Sequence, residues 1–394
     1  MTDRSLDDPV QHALPNPDGT RDSALLTVES LYTTFHTAVG PLPAVDGVEW
    51  SLYRGARLGV VGESGSGKSV MSRSIMRLLP KSRVTSTGAV SFDGIDMMSL
   101  GRRELLEMWG PQLAMVFQDP LGSLNPVMKI GKQVSEGLRV HRDLTKRAAR
   151  AAALELLEEV GIPEPHRRID EYPHQLSGGM RQRIVIAIAL ACSPRLLIAD
   201  EPTTALDVTV QAQILDLLEA QRAERDMSLV LITHDLGIVA GRTDEVIVMY
   251  AGRIVERAPT TTLFSDMRMP YTEALFRSIP KVTDDSHARL EIIGGQPPRM
   301  TDLSSGCKFA PRCKYAQDLC YAEEPALMEA SPSAQSRPST ESAAEAMPSD
   351  AAAHVYRCFY PVGSDEADEA LERNIASGRV SESGIVISAA QQPA

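Results

Sequence analysis

The chain has 394 residues and a formal net charge of −12, with 43% hydrophobic and 23% charged residues. These fractions exclude a wholly disordered or fibrous chain, and the length predicts two or three domains. The excess of acid disfavours nonspecific binding to nucleic acid, which depends on Lys and Arg, so we expect no nucleic-acid partner. The longest strongly apolar stretch, 184–192, is far shorter than the ~20 residues of a membrane span. The start of the chain lacks the features of a signal peptide, so we expect a cytosolic or peripherally bound protein.

Residues 1–23 show no apolar periodicity and are predicted to be a flexible leader. From 24 to about 260, short apolar runs alternate with helical stretches, which predicts an α/β domain around a largely parallel sheet. Buried strands are predicted at 58–61, 196–199, 229–232 and 246–249. A region from about 101 to 185 is predicted to be an inserted helical subdomain. It includes an amphipathic helix at 145–160 that ends at Gly161.

A smaller C-terminal module is predicted over 261–363. Within it, residues 331–350 are mostly Ser, Ala, Pro and Glu, which cannot bury a core, so we expect this segment to be flexible. The acidic residues 364–394 are predicted to form a mostly disordered tail. The module contains most of the cysteines of the chain: Cys307, Cys313, Cys320 and Cys358.

Residues 62–69 match the phosphate-binding pattern G-x-x-x-x-G-K-[ST] directly after a predicted strand. Glycines in such a loop let successive backbone N–H groups surround phosphate oxygens. Lys68 is expected to reach the β- and γ-phosphates, and the Ser69 hydroxyl is expected to bind Mg²⁺. The loop predicts these nucleotide-binding residues: Gly62, Ser64, Gly65, Ser66, Gly67, Lys68 and Ser69.

Two more motifs bear on nucleotide chemistry. The predicted strand at 196–199 leads into Asp200 and Glu201, which can hold Mg²⁺ and polarise the attacking water, respectively. Ser177, Gly178 and Gly179 open a long apolar helix whose N–H groups can bind a phosphate. Taken alone, this second motif could be only a helix N-cap.

The phosphate-binding loop at 62–69 (the P-loop) and the signature Leu-Ser-Gly-Gly at 176–179 together resemble the ATP-binding cassette (ABC) family. The resemblance implies an ATP hydrolase in which Glu201, His234 and Gln118 are catalytic. His234 is then the switch histidine, and Gln118 is the Q-loop glutamine that contacts the γ-phosphate and Mg²⁺. Phe35 is the expected aromatic partner of adenine, with nearby Tyr32 and a core role for Phe35 as alternatives.

ABC ATPases of this type form head-to-tail dimers, so the resemblance also has implications for assembly. Ser177, Gly178 and Gly179 would close on ATP held by a second ABC ATPase subunit. One signature per chain means that two subunits are needed for complete sites. A paralogue is favoured over a second copy of this chain.

Longer strings, at 61–69, 116–126, 172–180 and 270–275, resemble the oligopeptide/dipeptide importer ATPases. This implies a peripheral protein at the cytoplasmic face of the cell membrane. Its other expected partners are two transmembrane permease subunits and an extracytoplasmic peptide-binding protein. Nickel importers share much of the pattern and remain an alternative. A soluble ABC ATPase without transport function is disfavoured by the single cassette and the acidic charge.

The C-terminal cysteines have the spacing C-x5-C-x6-C-x37-C. Four thiolates suit zinc or an iron–sulfur cluster because both prefer soft ligands, although the C-x2-C pairs of common zinc ribbons are missing. The spacing resembles the C-terminal module of peptide-importer ATPases, which implies a 4Fe–4S cluster on Cys307, Cys313, Cys320 and Cys358. Zinc and free thiols remain the alternatives.

Overall fold

The computed structural model of the chain describes residues 24–204, 206–279, 293–298, 300–301, 305–330, 353–381 and 385–387. The predicted leader at 1–23 and the predicted flexible segment at 331–350 lie outside these residues. The strands are β1 (Ala24–Thr37), β2 (Gly40–Tyr53), β3 (Arg57–Val61), β4 (Val84–Phe92), β5 (Ile95–Asp96), β6 (Leu113–Val116), β7 (Leu196–Asp200), β8 (Ser228–Thr233), β9 (Glu245–Tyr250), β10 (Arg253–Pro259), β11 (Met328–Glu329) and β12 (Val355–Tyr356).

The α-helices follow in the same numbering by chain order. They are α1 (Lys68–Ile75), α2 (Arg102–Met108), α3 (Pro120–Ser123), α4 (Ile130–His141), α5 (Lys146–Glu159), α6 (Pro165–Arg168), α7 (Gly178–Leu190), α8 (Val208–Glu224), α9 (Leu236–Val239), α10 (Thr260–Ser265), α11 (Pro270–Arg277), α12 (Asp318–Ala322) and α13 (Asp365–Ala376). Short 3₁₀ turns occupy Pro173–Gln175 and Ala310–Arg312. Within the described ranges, no helix combines the length and apolarity that crossing a membrane requires.

The strands form two sheets. The larger has the order β11-β12-β10-β9-β3-β8-β7-β6, and the smaller has the order β2-β1-β4-β5. The four predicted buried strands are confirmed as β3, β7, β8 and β9, which pair in parallel with their neighbours β3–β8, β3–β9 and β7–β8. The smaller sheet is antiparallel throughout, and β10, β11 and β12 extend the larger one with antiparallel pairs. The expected largely parallel sheet is therefore only the central part of the structure.

Side-chain alternation along the central strands separates the layers of the core. In β8, Val230 and Ile232 face the antiparallel sheet and α1, whereas Leu229 and Leu231 face the helices α5, α7 and α8. This alternation follows from the two-residue repeat of a strand. The buried strands are apolar on both faces because a layer covers each side. Because β8 pairs in parallel with both β3 and β7, the carboxyl ends of all three strands lie at the same edge of the sheet, and the functional loops begin there.

The helices between 102 and 190 cover most of the region predicted as an inserted subdomain, but β6 within it belongs to the main sheet. The predicted helix at 145–160 is confirmed as α5. The hydroxyl of Thr145 caps its first turn by accepting a hydrogen bond from the Ala148 amide at 3.3 Å. Gly161 follows with a φ of +71°, the left-handed conformation typical of a residue that ends a helix.

The C-terminal residues pack on the larger sheet through α10, α11 and the ring of Phe309, and β12 adds to β10. The prediction of a mostly disordered tail after residue 363 is wrong for α13. Its first turn is capped by the Ser364 hydroxyl, which accepts a hydrogen bond from the Ala367 amide at 3.2 Å. Ala367 and Ala370 are fully buried against Tyr315. These two alanines and the buried, hydrogen-bonded Asn374 form the docking face of an otherwise acidic helix.

Candidate ATP-binding site

The loop at 62–69 connects β3 to α1. Gly62, Gly65 and Gly67 have φ values of +151°, +85° and +102°, a region that favours glycine. A Cβ on Gly62 would lie 2.2 Å from the carbonyl oxygen of Met249, and one on Gly67 would lie 2.4 Å from that of Ala44. The close packing of the loop on neighbouring backbone therefore requires glycine at 62 and 67, independently of any ligand.

At the tip of the loop, Ser64 and Gly65 are exposed and Ser66 is buried. A Cβ on Gly65 would meet open space, so packing does not require glycine there, and its positive φ and the close approach of a ligand are the remaining reasons. The Ser66 amide donates a hydrogen bond to the Glu63 carbonyl at 3.2 Å. The predicted loop residues thus form one tight turn with an accessible tip.

Lys68 is buried at the base of this turn. Its Nζ atom donates hydrogen bonds to the carbonyl oxygens of Gly62 at 2.6 Å and Glu63 at 3.0 Å. Burial lowers the pKa of Lys68, and the negative charges of Glu201 and Asp200 oppose this effect. The two carbonyl oxygens are neutral acceptors, and a phosphate beside Lys68 would give the ammonium group an anionic partner.

Asp200, at the end of β7, is fully buried. Its Oδ1 accepts a hydrogen bond from the Ser69 hydroxyl at 2.7 Å, whereas its Oδ2 has no hydrogen-bond partner. Arg73 Nη2 is 3.9 Å from Oδ2, beyond hydrogen-bond distance. Burial raises the pKa of Asp200. A buried carboxylate oxygen without a partner, beside a hydroxyl, fits the hard oxygen donors that Mg²⁺ prefers, so these residues fit the predicted metal.

Glu201 has a φ of +47°, an uncommon conformation for a residue with a side chain. Its Oε2 accepts hydrogen bonds from Gln118 Nε2 at 2.9 Å and Thr204 Oγ1 at 2.8 Å, and His234 Nδ1 is 3.3 Å away. The hydrogen bond from His234 is the main cause that lowers the pKa of Glu201 to about 2. The same hydrogen bond raises the pKa of His234. The arrangement keeps Glu201 ionised and oriented, as a group that polarises water requires.

The structure thus brings together the predicted catalytic residues Glu201, His234 and Gln118, with Asp200 adjacent in sequence. Lys68 is close enough to influence the charge of Glu201. Thr204 also contacts Glu201, and the sequence analysis missed it. Its only signal was its position three residues after Glu201, where a hydroxyl can reach back to the carboxylate.

Ser177 caps α7, with its hydroxyl accepting a hydrogen bond from the Met180 amide at 3.3 Å. A Cβ on Gly179 would lie 2.9 Å from Val210 of α8. Across the described residues, no hydrogen bond joins Ser177, Gly178 or Gly179 to the P-loop. Within one chain, the signature and the P-loop are therefore separate elements.

Phe35 lies on β1, opposite Leu42 of β2 and Val84 of β4, and its side chain is half-buried. The strand is tied to α1 by a hydrogen bond between the hydroxyls of Thr33 and Ser74 at 2.8 Å. Tyr32, the alternative aromatic, is exposed. The end of β1 is thus held over the helix that follows the P-loop.

The four C-terminal cysteines line one cavity of about 10 Å³, close to the volume that one water requires. In the ranges that the structure describes, no group of three or more His, Cys, Asp or Glu side chains is arranged to hold a metal ion. The predicted metal centre is therefore not formed in this arrangement. Burial also raises the pKa of each thiol: Cys307, Cys313, Cys320 and Cys358. This favours the neutral form over the thiolate that binds metal.

A P-loop, a strand of the same sheet that ends in Asp-Glu, and a glutamine and a histidine on the same carboxylate together define an ATP-binding cassette ATPase. The ABC transporter family profile matches residues 45–204, and that of the oligopeptide/dipeptide transporter C-terminal region matches 255–320. The oligopeptide transport ATP-binding protein OppD of Bacillus subtilis is 48% identical over 74% of this chain and 82% of its own length. The dipeptide transport ATP-binding protein DppD of Haemophilus influenzae is 48% identical over 73% of this chain and 87% of its own length. The chain belongs to the family of ABC ATPases of oligopeptide/dipeptide importers.

The fold agrees with this assignment. The ATP-binding cassette MJ0796, in a dimeric post-hydrolysis state with ADP and Pi, matches 60% of this chain and 98% of its own with a TM-score of 0.54 and 28% identity. The cbiO1 protein from Clostridium perfringens, part of the ABC transporter complex cbiONQ, matches 62% of this chain with a TM-score of 0.52. The predicted P-loop ABC ATPase fold is confirmed.

Proposed function

We propose that this chain is the ATP-binding and ATP-hydrolysing subunit of an ABC importer and energises the uptake of oligopeptides or dipeptides across the cytoplasmic membrane. The observation that supports this most directly is the carboxylate of Glu201. It is held by three donors from three segments of the chain, next to buried Asp200. The names of the relatives support the peptide class of substrate.

The geometry of the site and the family resemblance support a role for each residue. The P-loop amides and Lys68 bind the phosphates of ATP, and the ring of Phe35 stacks on adenine. Glu201 orients the attacking water and accepts its proton, while His234 holds the Glu201 carboxylate in place and keeps it ionised. Positioning and charge stabilisation supply most of the catalysis in phosphoryl transfer.

For the metal, Ser69, Asp200 and Gln118 are the proposed ligands. Bound there, Mg²⁺ would neutralise charge on the β- and γ-phosphates. Oδ2 of Asp200 is the one buried atom of this set that has no hydrogen-bond partner. We therefore expect this oxygen to bind the metal ion.

We propose that Ser177, Gly178 and Gly179 bind ATP held by a second ABC ATPase subunit in a head-to-tail dimer. The separation of the signature from the P-loop within one chain supports this, as does the dimeric state in the name of the MJ0796 structure. The remaining proposed partners are two transmembrane permease subunits and an extracytoplasmic peptide-binding protein. We expect the second ATPase subunit to be a paralogue of this chain. The assembly would place the chain at the cytoplasmic face of the cell membrane.

The four-cysteine pocket carries a separate proposal. We infer that Cys307, Cys313, Cys320 and Cys358 hold a 4Fe–4S cluster, because four soft ligands line one cavity. Binding would require deprotonation of the thiols and expansion of the cavity. Metal and sulfide analysis of anaerobically purified protein tests this: about four iron and four sulfide per chain are expected. Zinc, or no metal, would contradict it.

Peptide uptake in a source strain that lacks this chain tests the main proposal. The wild-type gene is expected to restore uptake of a labelled tripeptide, and Glu201→Gln is expected not to restore it. Lys132→Ala, a change of an exposed lysine on α4, is the matched control and should restore uptake. Restoration of nickel uptake without peptide uptake would contradict the peptide assignment and favour the nickel importer.

A further inference from the structure

An ion pair joins the P-loop to the C-terminal module. Arg312 Nη1 donates to Glu63 Oε2 at 2.6 Å, and Arg312 Nη2 donates to Glu63 Oε1 at 2.8 Å. The two residues are 249 positions apart. The Arg312 side chain is 4% exposed and that of Glu63 is 22% exposed. A bidentate pair of this kind fixes the orientation of both planar groups as well as their distance.

Further contacts with the module and with Tyr250 of β9 hold Arg312 in place. Its Nε donates to the Gly294 carbonyl oxygen at 2.8 Å, and its Nη1 is 3.3 Å from the Tyr250 hydroxyl. The guanidinium also lies over the rings of Tyr250 and Phe309, at 6.0 and 5.9 Å from their centroids. Arg312 is therefore a rigid support rather than a mobile surface cation.

Glu63 is also held through its backbone. Its amide donates a hydrogen bond to the hydroxyl of Tyr271, on α11, at 2.7 Å. Its carbonyl oxygen accepts the hydrogen bond from Lys68 Nζ at 3.0 Å. One residue of the loop thus contacts the phosphate-binding lysine on one side and two C-terminal residues, Tyr271 and Arg312, on the other.

The position of Arg312 adds a second connection. It ends the 3₁₀ turn Ala310–Arg312, between Cys307 and Cys313. The Ala310 amide bonds the Cys307 carbonyl at 3.1 Å, and the Cys313 amide bonds the Ala310 carbonyl at 3.2 Å. The loop that carries two cysteines of the pocket therefore also carries the guanidinium that reaches the P-loop.

We propose that Arg312 is a positioning residue for the ATP site, which acts through Glu63 to set the conformation of the P-loop and of Lys68. The C-terminal module thereby controls the affinity for MgATP. The proposal rests on the proposed role of the P-loop in ATP binding. The C-terminal module then takes part in nucleotide binding in addition to its role in packing.

The test measures MgATP dissociation constants and melting temperatures of the full chain. The variants are Arg312→Met, Arg312→Lys, Glu63→Gln and the double variant Arg312→Met/Glu63→Gln. Lys314→Met is the matched control, because Lys314 bonds Glu273 of α11 at 3.1 Å without touching the P-loop. Lys314 follows Cys313 directly and contacts α11, the helix whose Tyr271 also packs against Phe309.

Arg312→Met and Glu63→Gln are each expected to weaken MgATP binding about tenfold. The double variant is expected to bind MgATP no more weakly than the weaker-binding single variant, because each single substitution already breaks the same ion pair. Arg312→Lys should recover part of the loss, and Lys314→Met should stay within about twofold of the wild type. Hydrogen exchange of amides 62–69 should rise in Arg312→Met but not in Lys314→Met.

Unchanged MgATP binding by folded Arg312→Met and Glu63→Gln would overturn the proposal. An equal loss in Lys314→Met would also overturn it, since that result indicates general loosening of the module. If Arg312→Met does not fold, the MgATP affinity of Glu63→Gln decides the proposal, provided that this variant melts at the same temperature as the wild type. Failure of the wild-type chain to bind MgATP would instead contradict the proposed function.

Discussion

Replacing Asp200 by Asn separates the stability of the empty site from its function. The carboxylate is fully buried, and its Oδ2 has no hydrogen-bond partner. Burial raises the pKa of Asp200, so the folded protein binds a proton there more readily than the unfolded chain does. At neutral pH the ionised group therefore destabilises the fold, and the penalty is relieved as the pH falls through the raised pKa.

Asn keeps the size of the side chain and an oxygen that can accept the hydrogen bond from Ser69, but it carries no charge. Leaving a buried polar atom without a partner costs about 1–3 kcal/mol, and more when the group is charged. Asn still places a polar atom there, so it relieves only the additional cost of the charge. We expect Asp200→Asn to recover part of this, because Glu201 remains to balance the charge of Lys68. At about 2–4 °C per kcal/mol, the melting temperature in EDTA should rise by a few degrees, while the tightening of ATP binding by Mg²⁺ should disappear.

The assay is thermal unfolding in EDTA, followed by ATP titration with and without Mg²⁺. Glu107→Gln serves as the control, since Glu107 is exposed and its nearest cation, Arg103, is 4.0 Å away. Its stability should change by less than about 0.5 kcal/mol. A lower melting temperature for Asp200→Asn than for the wild type would refute the reasoning that Oδ2 is an unsatisfied charge. So would retention of the Mg²⁺ effect on ATP binding.

The remaining predictions concern the same loops. In His234→Ala the melting temperature should fall further below that of the wild type at pH 6 than at pH 9. The pair with Glu201 lowers the pKa of Glu201 to about 2 and raises that of His234, so its contribution is lost as the pH rises through the raised pKa of His234. Gly62→Ala should destabilise the nucleotide-free chain by about 1–3 kcal/mol more than Gly65→Ala, because only the first meets backbone. Lys68→Ala should weaken MgATP binding, which direct titration can measure.

Each of these predictions has a result that would contradict it. An equal deficit at pH 6 and pH 9 would show that the charge of His234 does not stabilise the site. Equal destabilisation by Gly62→Ala and Gly65→Ala would show that positive φ alone, and not steric crowding, explains both glycines. MgATP binding by Lys68→Ala at wild-type strength would rule out the phosphate role of the lysine.

The sequence predicted the parts of the fold that local pattern determines. The apolar runs of β3, β7, β8 and β9 stand out because both faces of these strands are buried, and α5 has a capping Thr145 and a terminal Gly161. The antiparallel sheet was harder to predict. Its strands β1 and β2 are long, interrupted by register shifts and partly exposed, so their apolar alternation is broken.

The site could be predicted only where motif and chemistry coincide within a few residues. Contacts between distant segments left no such pattern: Arg312 and Tyr271 reach Glu63 from across the chain. The docking of α13 was hidden by its acidic composition, because its buried residues, Ala367, Ala370 and Asn374, include no large apolar side chain. Thiol chemistry is a further limit, since spacing shows that cysteines can converge but not whether they are ionised.

The most direct test of the account is ATP turnover by the assembled transporter with Glu201→Gln, alongside MgATP binding by the same variant. Gln keeps the shape of the side chain but cannot accept the proton of the attacking water. We predict MgATP binding equal to that of the wild type, a closed ATP-bound dimer and turnover lower by about 10²–10⁴-fold, the usual contribution of a general base. Turnover equal to that of the wild type would contradict the assignment of Glu201 and the catalytic site built around it.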